Sequence, residues 1–243
     1  MFSFFKKEKR IPLPSLKIDL HSHLIPGIDD GSKSIDESIS LLKGMEILGY
    51  QKIITTPHIM TDAYRNTPEI ITAGLKKLKN AAQINGIQIE IEAAAEYYFD
   101  DGFLNLLKKN EILSINNRYL LFETSYISKP LQIEEMIFEI TSSGYTPVMA
   151  HPERYHYIKD PLQEYKRFQK LGVLFQVNLN SFGGYYGKSA KTLADFLSHH
   201  GMISFLGSDL HHHKHLNSLQ NILNSSVYKK IFEKNNILND ELI

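Results

Sequence analysis

Seven short apolar segments of β-strand type recur along the chain, and a segment with helical periodicity follows each of them. The strand-type segments cover residues 16–20, 51–56, 87–95, 119–122, 146–150, 173–177 and 203–206. Strands that alternate with helices are joined by right-handed crossovers, so that the strands lie parallel in one sheet. The alternation therefore predicts an α/β fold built on a parallel sheet.

The predicted helices carry boundary signals of their own. Residues 34–37 form a capping box ahead of an apolar stripe that ends near Gly49. Thr67 and Pro68 supply the cap and first-turn proline of a second helix, which extends to about residue 84. Further helices are predicted over residues 102–109, 130–142, 161–171, 189–199 and 216–232. These boundaries divide the chain into seven strand-helix units.

Six of the seven strand-type segments end in a residue that can bind a metal ion. His21 and His23 close the first segment, and Asp209 and His211 repeat the same i, i+2 spacing after the last. Residues two apart on a strand point to the same face, so each pair aims two ligands at one side. Polar residues also terminate strands for purely structural reasons, but Gly, Asn, Ser and Lys are the usual residues there. The pattern indicates a multi-metal hydrolase.

The position of these ligands bears on how the sheet is arranged. Periodicity alone does not separate a closed barrel from an open doubly wound sheet. In α/β barrels the active site lies at the carboxyl ends of the strands, where every candidate ligand falls here. With seven units and ligands from nearly all strands, we predict closure into a (β/α)7 TIM-like barrel.

Bulk composition fits one barrel domain over residues 16–243, preceded by a flexible tail at 1–15. The chain has 243 residues with 42% hydrophobic content, a size typical of α/β barrels. Lys plus Arg equals Asp plus Glu at 27 each, which argues against a nucleic-acid partner. No apolar run approaches the roughly 20 residues of a transmembrane helix, so we expect a cytoplasmic protein. The tail is aromatic and then basic, and a weak contact with an anionic membrane is the alternative to simple disorder.

The chain contains no cysteine. This excludes disulfides, zinc fingers, iron-sulfur clusters and any mechanism based on a thiolate nucleophile. A Walker-type phosphate loop and a G-x-S-x-G nucleophile elbow are also missing from the sequence. If the chain cleaves phosphate esters, metal ions must activate the nucleophile.

A series of motifs in fixed order carries a family resemblance. They are residues 19–23 (DLHSH), 29–31 (DDG), 56–58 (TPH), 95–96 (AE), 151–155 (HPERY), 176–178 (QVN) and 208–211 (SDLH). In this order they resemble the polymerase-and-histidinol-phosphatase (PHP) superfamily, over nearly the whole chain. Within it they are most similar to the metal-dependent tyrosine-protein phosphatases of bacterial capsule and exopolysaccharide clusters. The resemblance implies a distorted seven-stranded barrel that holds metal ions.

The resemblance also implies a specific ligand set. The implied metal ligands are His21, His23, Asp30, His58, Glu96, Glu123, His151, Asp209 and His211. They would hold about three divalent ions, with Mn²⁺ expected first and Fe, Zn or Mg as alternatives. Glu96 is expected to bridge two ions, and Glu96 and Asp209 are therefore counted with the catalytic residues. The four carboxylates leave an excess of positive charge that suits a phosphate dianion.

Two further aspartates are interpreted as supporting residues. Asp19 is expected to accept a hydrogen bond from a ligand imidazole and so to orient it, although a direct ligand role is the alternative. Asp29 precedes Asp30 and Gly31 and is interpreted as a turn residue.

Arg154 is the candidate for binding the phosphoryl oxygens, because a guanidinium donates two parallel hydrogen bonds. A surface salt bridge is the alternative. Members of the branch carry a second arginine shortly after the SDxH motif, roughly at Leu216 here, and this chain has none. Lys214 or His215 is the candidate substitute, and Tyr64 is a candidate for the mouth of the site.

The resemblance favours a protein-tyrosine phosphatase that hydrolyses phosphotyrosine with metal-activated hydroxide. The implied substrate is a phosphotyrosine protein, a bacterial tyrosine autokinase that controls polysaccharide synthesis. A small-molecule phosphatase of the histidinol-phosphate type, or another PHP phosphoesterase, is the alternative. A nuclease-like activity and a non-enzymatic binding module are less favoured, since the chain lacks a basic excess and all nine ligand positions are filled.

Overall fold

The computed structural model describes residues 16–242, so the predicted tail at 1–15 lies outside the described residues. Within that range the strands are β1 (Ile18–Asp19), β2 (Lys52–Thr55), β3 (His58–Ile59), β4 (Glu90–Ala93), β5 (Glu96–Tyr98), β6 (Tyr119–Glu123), β7 (Thr146–Ala150), β8 (Leu174–Asn178) and β9 (Phe205–Gly207). The α-helices are α1 (Ile35–Ile47), α2 (Pro68–Ile84), α3 (Asp101–Lys109), α4 (Ile133–Ser142), α5 (Pro161–Lys170), α6 (Leu179–Phe182), α7 (Lys188–His199), α8 (His213–Leu223) and α9 (Ser226–Lys234). Two 3-10 helices cover Pro152–Arg154 and Asn239–Leu242.

All strand pairs run parallel, which confirms the predicted α/β architecture. The pairing forms a three-stranded sheet in the order β1-β2-β4 and a six-stranded sheet in the order β3-β5-β6-β7-β8-β9. Among residues 16–242 the pairing therefore gives two sheets and not the single closed sheet that was predicted.

The division arises because two predicted strands are each broken into two. The segment 51–56 stops at Thr55 and resumes at His58, with Pro57 between them, a residue that has no N–H to donate. On the neighbouring strand, Ala94 N donates to Thr55 O at 3.0 Å, but Ala95 N turns away and donates to Leu113 O at 3.1 Å. Pairing resumes when Glu96 N donates to Pro57 O at 3.1 Å.

Backbone contacts also join the first strand to the last. Asp209 N donates to His21 O and His23 N donates to Leu210 O, each at 2.9 Å, around an isolated parallel bridge between Ser22 and Leu210. The ends of β1 and β9 therefore lie side by side.

The predicted helix starts are confirmed at α1 and α2, where Ser34 accepts from Glu37 N and Thr67 accepts from Ile70 N. The predicted helix over 216–232 is wrong as a single element. It is two helices, because Ser225 caps the N-terminus of α9 by accepting from Tyr228 N at 3.3 Å. The short α6 was not predicted.

Along residues 16–242, no helix combines the length and apolar composition needed to cross a membrane.

Apolar side chains form two buried clusters. The larger one packs helices such as α1, α4 and α7 against the strands. The smaller one joins residues from both sheets, including Ile18, Ile54, Leu121, Val148 and Phe205. In β6 and β7 its members alternate with residues of the larger cluster, so these strands are apolar on both faces, as parallel strands buried on both sides require.

Candidate metal centre

The structure brings all nine predicted metal ligands together, most of them at or beyond the carboxyl end of a strand. They come from the ends of β1, β7 and β9, the starts of β3 and β5, the last residue of β6, and the loop before α1. Seven of the nine side chains form three overlapping groups, and within each group the ligand atoms lie within 4.8 Å of one another. The groups are His23, Asp30, His58 and His211; His21, His23 and Glu96; and His58, Glu96 and Glu123. His151 and Asp209 adjoin these groups, through Glu96 Oε1 at 3.0 Å and His21 Nε2 at 3.5 Å respectively.

Glu96 lies at the centre of the cluster and is completely buried. Its Oε2 lies 3.2 Å from His21 Nε2 and 3.1 Å from His58 Nδ1, whereas its Oε1 faces His151 Nε2. Burial raises the pKa of Glu96, but the positive potential of His21 and His58 outweighs burial and holds that pKa well below its usual range. Both oxygens of one ionised carboxylate thus point at different imidazoles, the arrangement expected of a bridging ligand.

The donor set fits divalent cations. In the described part of the chain, the buried atom His151 Nδ1 has no hydrogen-bond partner, and His58 Nδ1 lies close to Glu96 Oε2 without hydrogen-bond geometry. Buried nitrogens without a hydrogen bond are costly. Burial lowers the pKa of His23, but the carboxylate of Asp29 outweighs burial and raises that pKa to about 10. Imidazole and carboxylate ligands without sulfur suit manganese, iron or zinc. The residues present therefore fit a cluster of divalent ions.

Gln176 and Asp29 orient the imidazoles of His21 and His23, whereas Asp19 was the predicted acceptor. His21 Nδ1 donates to Gln176 Oε1 at 2.7 Å, and His23 Nδ1 donates to Asp29 Oδ2 at 2.8 Å. Each bond places the proton on Nδ1 and leaves the Nε2 lone pair facing the cluster, as a metal ligand requires. Asp29 also accepts from Gly31 N at 3.0 Å, so it forms the predicted turn and orients His23 at the same time.

Asp19 does not have the role predicted for it. Its carboxylate accepts from Ser208 N at 2.8 Å and from Ser208 Oγ at 2.6 Å, not from an imidazole. Ser208 precedes Asp209, whose φ of 50° lies in the left-handed region, and His151 has a φ of 33°. Such backbone conformations persist only where the surroundings fix them, and they concentrate at functional sites. Asp19 therefore anchors the backbone that carries Asp209.

The two oxygens of Asp209 have different environments. Oδ2 accepts three hydrogen bonds, from Asn178 Nδ2 at 2.7 Å, Arg154 Nη1 at 3.0 Å and Tyr186 Oη at 3.1 Å. Oδ1 instead faces imidazole nitrogens, with His211 Nδ1 at 3.4 Å and His21 Nε2 at 3.5 Å. Burial raises the pKa of Asp209, but these positive neighbours hold it well below the usual range. The carboxylate is thus ionised, with one oxygen held by the protein and the other available to a cation.

Arg154 lies over the cluster in a cavity of about 230 Å³. The cavity is lined by Asp30, His58, Tyr126, His151, Arg154, Tyr186, Asp209, His211, His212 and His215. The Arg154 guanidinium carbon lies 4.6 Å from the ring centroid of Tyr126 and 4.3 Å from that of Tyr186. Its ion pair is with Asp209, which is only 2% exposed, so the alternative of a surface salt bridge does not describe it.

The other predicted substrate-binding residues have mixed outcomes. Lys214 is exposed and does not line the cavity, whereas His215 is buried and does. His215 Nδ1 donates to Asp209 O at 2.7 Å, and burial lowers the pKa of His215 to about 4. A neutral His215 cannot supply the charge of the missing arginine. Tyr64 is half-buried and stacks on His58 with ring centroids 5.4 Å apart.

Leu216, where an arginine was expected in the family pattern, is a packing residue of α8. A Cβ built on Gly44 of α1 would lie 2.2 Å from Leu216 Cδ2, so the two helices meet closely at this point. We expect Leu216→Arg to destabilise the fold by about 1 to 3 kcal/mol, because a longer charged side chain must enter a packed contact. Thermal unfolding of this variant beside Leu216→Met tests it, and an unchanged midpoint for Leu216→Arg would contradict the packing role.

The sequence analysis also missed side chains that complete the site. Gln176, Asn178 and Tyr126 were not proposed as functional, although Gln176 and Asn178 belong to one of the quoted motifs. Gln176 Nε2 donates to Asn178 Oδ1 at 2.9 Å, which links the partner of His21 to the partner of Asp209. The end of β8 thus supports two ligands without supplying one.

Comparison with known proteins shows the family of the chain. The family described as capsular polysaccharide synthesis, CpsB/CapC, matches residues 17–237. The chain belongs to this family. Among its relatives, CapC of Staphylococcus aureus is 31% identical over 80% of this chain and 76% of its own length. The tyrosine-protein phosphatase YwqE of Bacillus subtilis is 30% identical over 81% of this chain and 78% of its own.

Solved structures extend the similarity to the fold. A structure described among those of YwqE from Bacillus subtilis and CpsB from Streptococcus pneumoniae, "unique metal-dependent tyrosine phosphatases", superposes with a TM-score of 0.79 at 26% identity. That match covers 89% of this chain and 90% of the other. An amidohydrolase from Mycoplasma synoviae shares the fold alone, with a TM-score of 0.53 at 13% identity over 95% of this chain and 87% of its own.

Proposed function

We propose that this CpsB/CapC family member is a metal-dependent protein-tyrosine phosphatase. The observation that carries the proposal is the convergence of nine His, Asp and Glu side chains in one cluster beside Arg154. Five of them line the same cavity as Arg154, namely Asp30, His58, His151, Asp209 and His211. The relatives YwqE and CpsB are named as tyrosine-protein phosphatases, which supports the same activity.

The nine residues of this cluster are proposed as the metal ligands. Their number and type suit about three divalent ions, with Mn²⁺ first and Fe, Zn or Mg as alternatives. Glu96 is proposed to bridge, since it belongs to two of the three ligand groups. Bound ions of this kind lower the pKa of a water molecule toward neutrality and offset the charge of a phosphate.

Arg154 is proposed to bind the phosphoryl group. Asp209 engages its Nη1 atom, and the remaining N–H donors of the guanidinium stay available to phosphate oxygens. Phosphotyrosine also suits the site chemically, because the phenol of the leaving group has a pKa of about 10 and departs more readily than an alkoxide. Among the described residues that line the cavity, Arg154 is the only arginine, and no lysine is present.

The physiological substrate is proposed to be a phosphorylated tyrosine kinase that regulates capsular or exopolysaccharide synthesis. The reaction is proposed to take place in the cytoplasm. The description of the family as capsular polysaccharide synthesis supports this context.

Residues 16–243 are proposed to form one domain, and the two sheets to act as one distorted (β/α)7 barrel. The contacts between β1 and β9, the bond from Glu96 N to Pro57 O and the apolar cluster shared by both sheets support closure.

A comparison of substrates tests the activity. We expect a higher kcat/KM for a phosphotyrosine peptide than for the matching phosphoserine peptide or for histidinol phosphate, because the aryl leaving group needs less protonation. Each substrate should be assayed at the same Mn²⁺ concentration, with phosphate release as the readout. Faster turnover of histidinol phosphate or other small alkyl phosphates would instead favour the small-molecule phosphatase.

A further inference from the structure

Tyr186 occupies a special position between the proposed phosphate and metal sites. It lies in the loop between α6 and α7, flanked by Gly184 with a φ of 79° and Gly187 with a φ of 91°. These left-handed conformations are accessible to glycine at little cost, and they let the loop place Tyr186 over the cavity. From there Tyr186 reaches Arg154 with its ring and Asp209 with its hydroxyl.

The hydroxyl of Tyr186 bears on the orientation of Asp209. Its donation to Oδ2 at 3.1 Å, together with the bonds from Asn178 and Arg154, saturates that oxygen with protein donors. A carboxylate held by three donors on one oxygen has little freedom to rotate, so Oδ1 remains turned toward the imidazoles. Partners that orient a ligand in this way commonly govern metal affinity.

The ring of Tyr186 bears on the orientation of Arg154. A guanidinium stacks on aromatic faces and keeps its N–H donors free at its edges. Tyr126 contacts the same guanidinium at 4.6 Å, but its hydroxyl lies 3.4 Å from Glu123 Oε2 and not at Asp209. Tyr186 therefore combines the contact to Arg154 with the contact to Asp209.

We propose that Tyr186 is a positioning residue that fixes Arg154 for phosphate binding and Asp209 for metal binding. The proposal rests on the roles of Arg154 and Asp209 given above. The ring of Tyr186 contacts Arg154 and its hydroxyl contacts Asp209, so substitutions can separate the two contacts. Tyr186→Phe removes the hydroxyl and keeps the ring, whereas Tyr186→Leu removes both.

Binding measurements on the full chain distinguish these roles. Mn²⁺ affinity is measured by titration calorimetry on metal-free protein, and inorganic phosphate affinity on the Mn²⁺-saturated protein. We expect Tyr186→Phe to weaken Mn²⁺ binding by about 10-fold or more while phosphate binding at saturating Mn²⁺ stays close to that of the parent. We expect Tyr186→Leu to lose Mn²⁺ affinity similarly and also to weaken phosphate binding by about 2- to 30-fold. In kinetic terms, at saturating Mn²⁺ only the leucine variant should raise KM.

Tyr185→Phe is the matched control, since Tyr185 lies beside Tyr186 in the same loop and is exposed. It should leave both affinities unchanged. Unchanged Mn²⁺ affinity in Tyr186→Phe, or equal phosphate affinity in the phenylalanine and leucine variants, would overturn the proposal. A lower thermal midpoint in Tyr186→Phe with unaltered Mn²⁺ affinity would show a purely structural role and overturn it as well. Because calorimetry needs no turnover, absence of phosphatase activity would count against the proposed function alone.

Discussion

Replacing Glu96 with glutamine is expected to abolish hydrolysis and to reduce the amount of bound metal. Glu96 is fully buried, and its two oxygens face the imidazoles of His21 and His58 on one side and of His151 on the other. The substitution keeps the size of the side chain but removes its charge. Taking one charged partner from a buried cluster typically costs about 3 to 5 kcal/mol, which would appear here as weakened metal binding.

The metal content of purified Glu96→Gln, by elemental analysis, and its phosphate release from a phosphotyrosine peptide test this expectation. Glu92→Gln is the matched control, because Glu92 lies on β4, the strand that precedes β5 in the chain, is 42% exposed and pairs with Lys52. It should retain metal and turnover. Full metal content together with near-parental turnover in Glu96→Gln would remove Glu96 from the site.

Arg154→Ala is expected to lose about 2 to 4 kcal/mol of transition-state stabilisation, the scale seen when one donor is removed from a preorganised site. The loss corresponds to a fall of roughly 30- to 1000-fold in kcat/KM. The expected loss is large because, among the residues that line the described cavity, no other arginine or lysine can replace Arg154. Because Arg154→Ala also removes one of the three donors to Asp209 Oδ2, kcat/KM is compared at Mn²⁺ concentrations that keep the metal content at that of the parent.

Kinetic constants of three variants at verified metal occupancy separate the possible sources of phosphate binding. Arg154→Lys should recover only part of the loss, because an ammonium cannot donate two parallel hydrogen bonds. Lys214→Ala should have little effect, since Lys214 is exposed and outside the cavity lining. An unchanged kcat/KM in Arg154→Ala would refute the role assigned to Arg154, and a large loss in Lys214→Ala would restore Lys214 as the substitute.

The parallel architecture was predictable because it depends on local patterns that recur along the whole chain. Apolar runs, caps such as Ser34 and Thr67, and ligands at strand ends all act within a few residues of one another. The breaks at Pro57 and Ala95 were not predictable, since they depend on which carbonyl each amide meets across the sheet. The separation of α8 from α9 was missed because the apolar periodicity continues across Ser225 while its hydroxyl begins a new helix.

The site residues were predictable where residue type alone limits the chemistry. The prediction failed where the hydrogen-bond partners come from distant strands. Asp19 shares a strand face with His21, but Ser208 from the end of the last strand binds the Asp19 carboxylate instead. Asp29 had only a turn signal, and its bond to His23 depends on how the loop folds back. Tyr186 lies in a loop without periodicity, so no sequence pattern indicated its contacts with Arg154 and Asp209.

The central claim is that this cluster holds metal ions on which phosphotyrosine hydrolysis depends. The most direct test removes metal with a chelator, verifies its removal by elemental analysis, and follows hydrolysis of a phosphotyrosine peptide before and after Mn²⁺ is added back. We expect no hydrolysis by the metal-free chain and recovery with Mn²⁺, whereas a thiol-alkylating reagent has no effect because the chain contains no cysteine. Hydrolysis that persists in chain shown to be free of metal would contradict the claim.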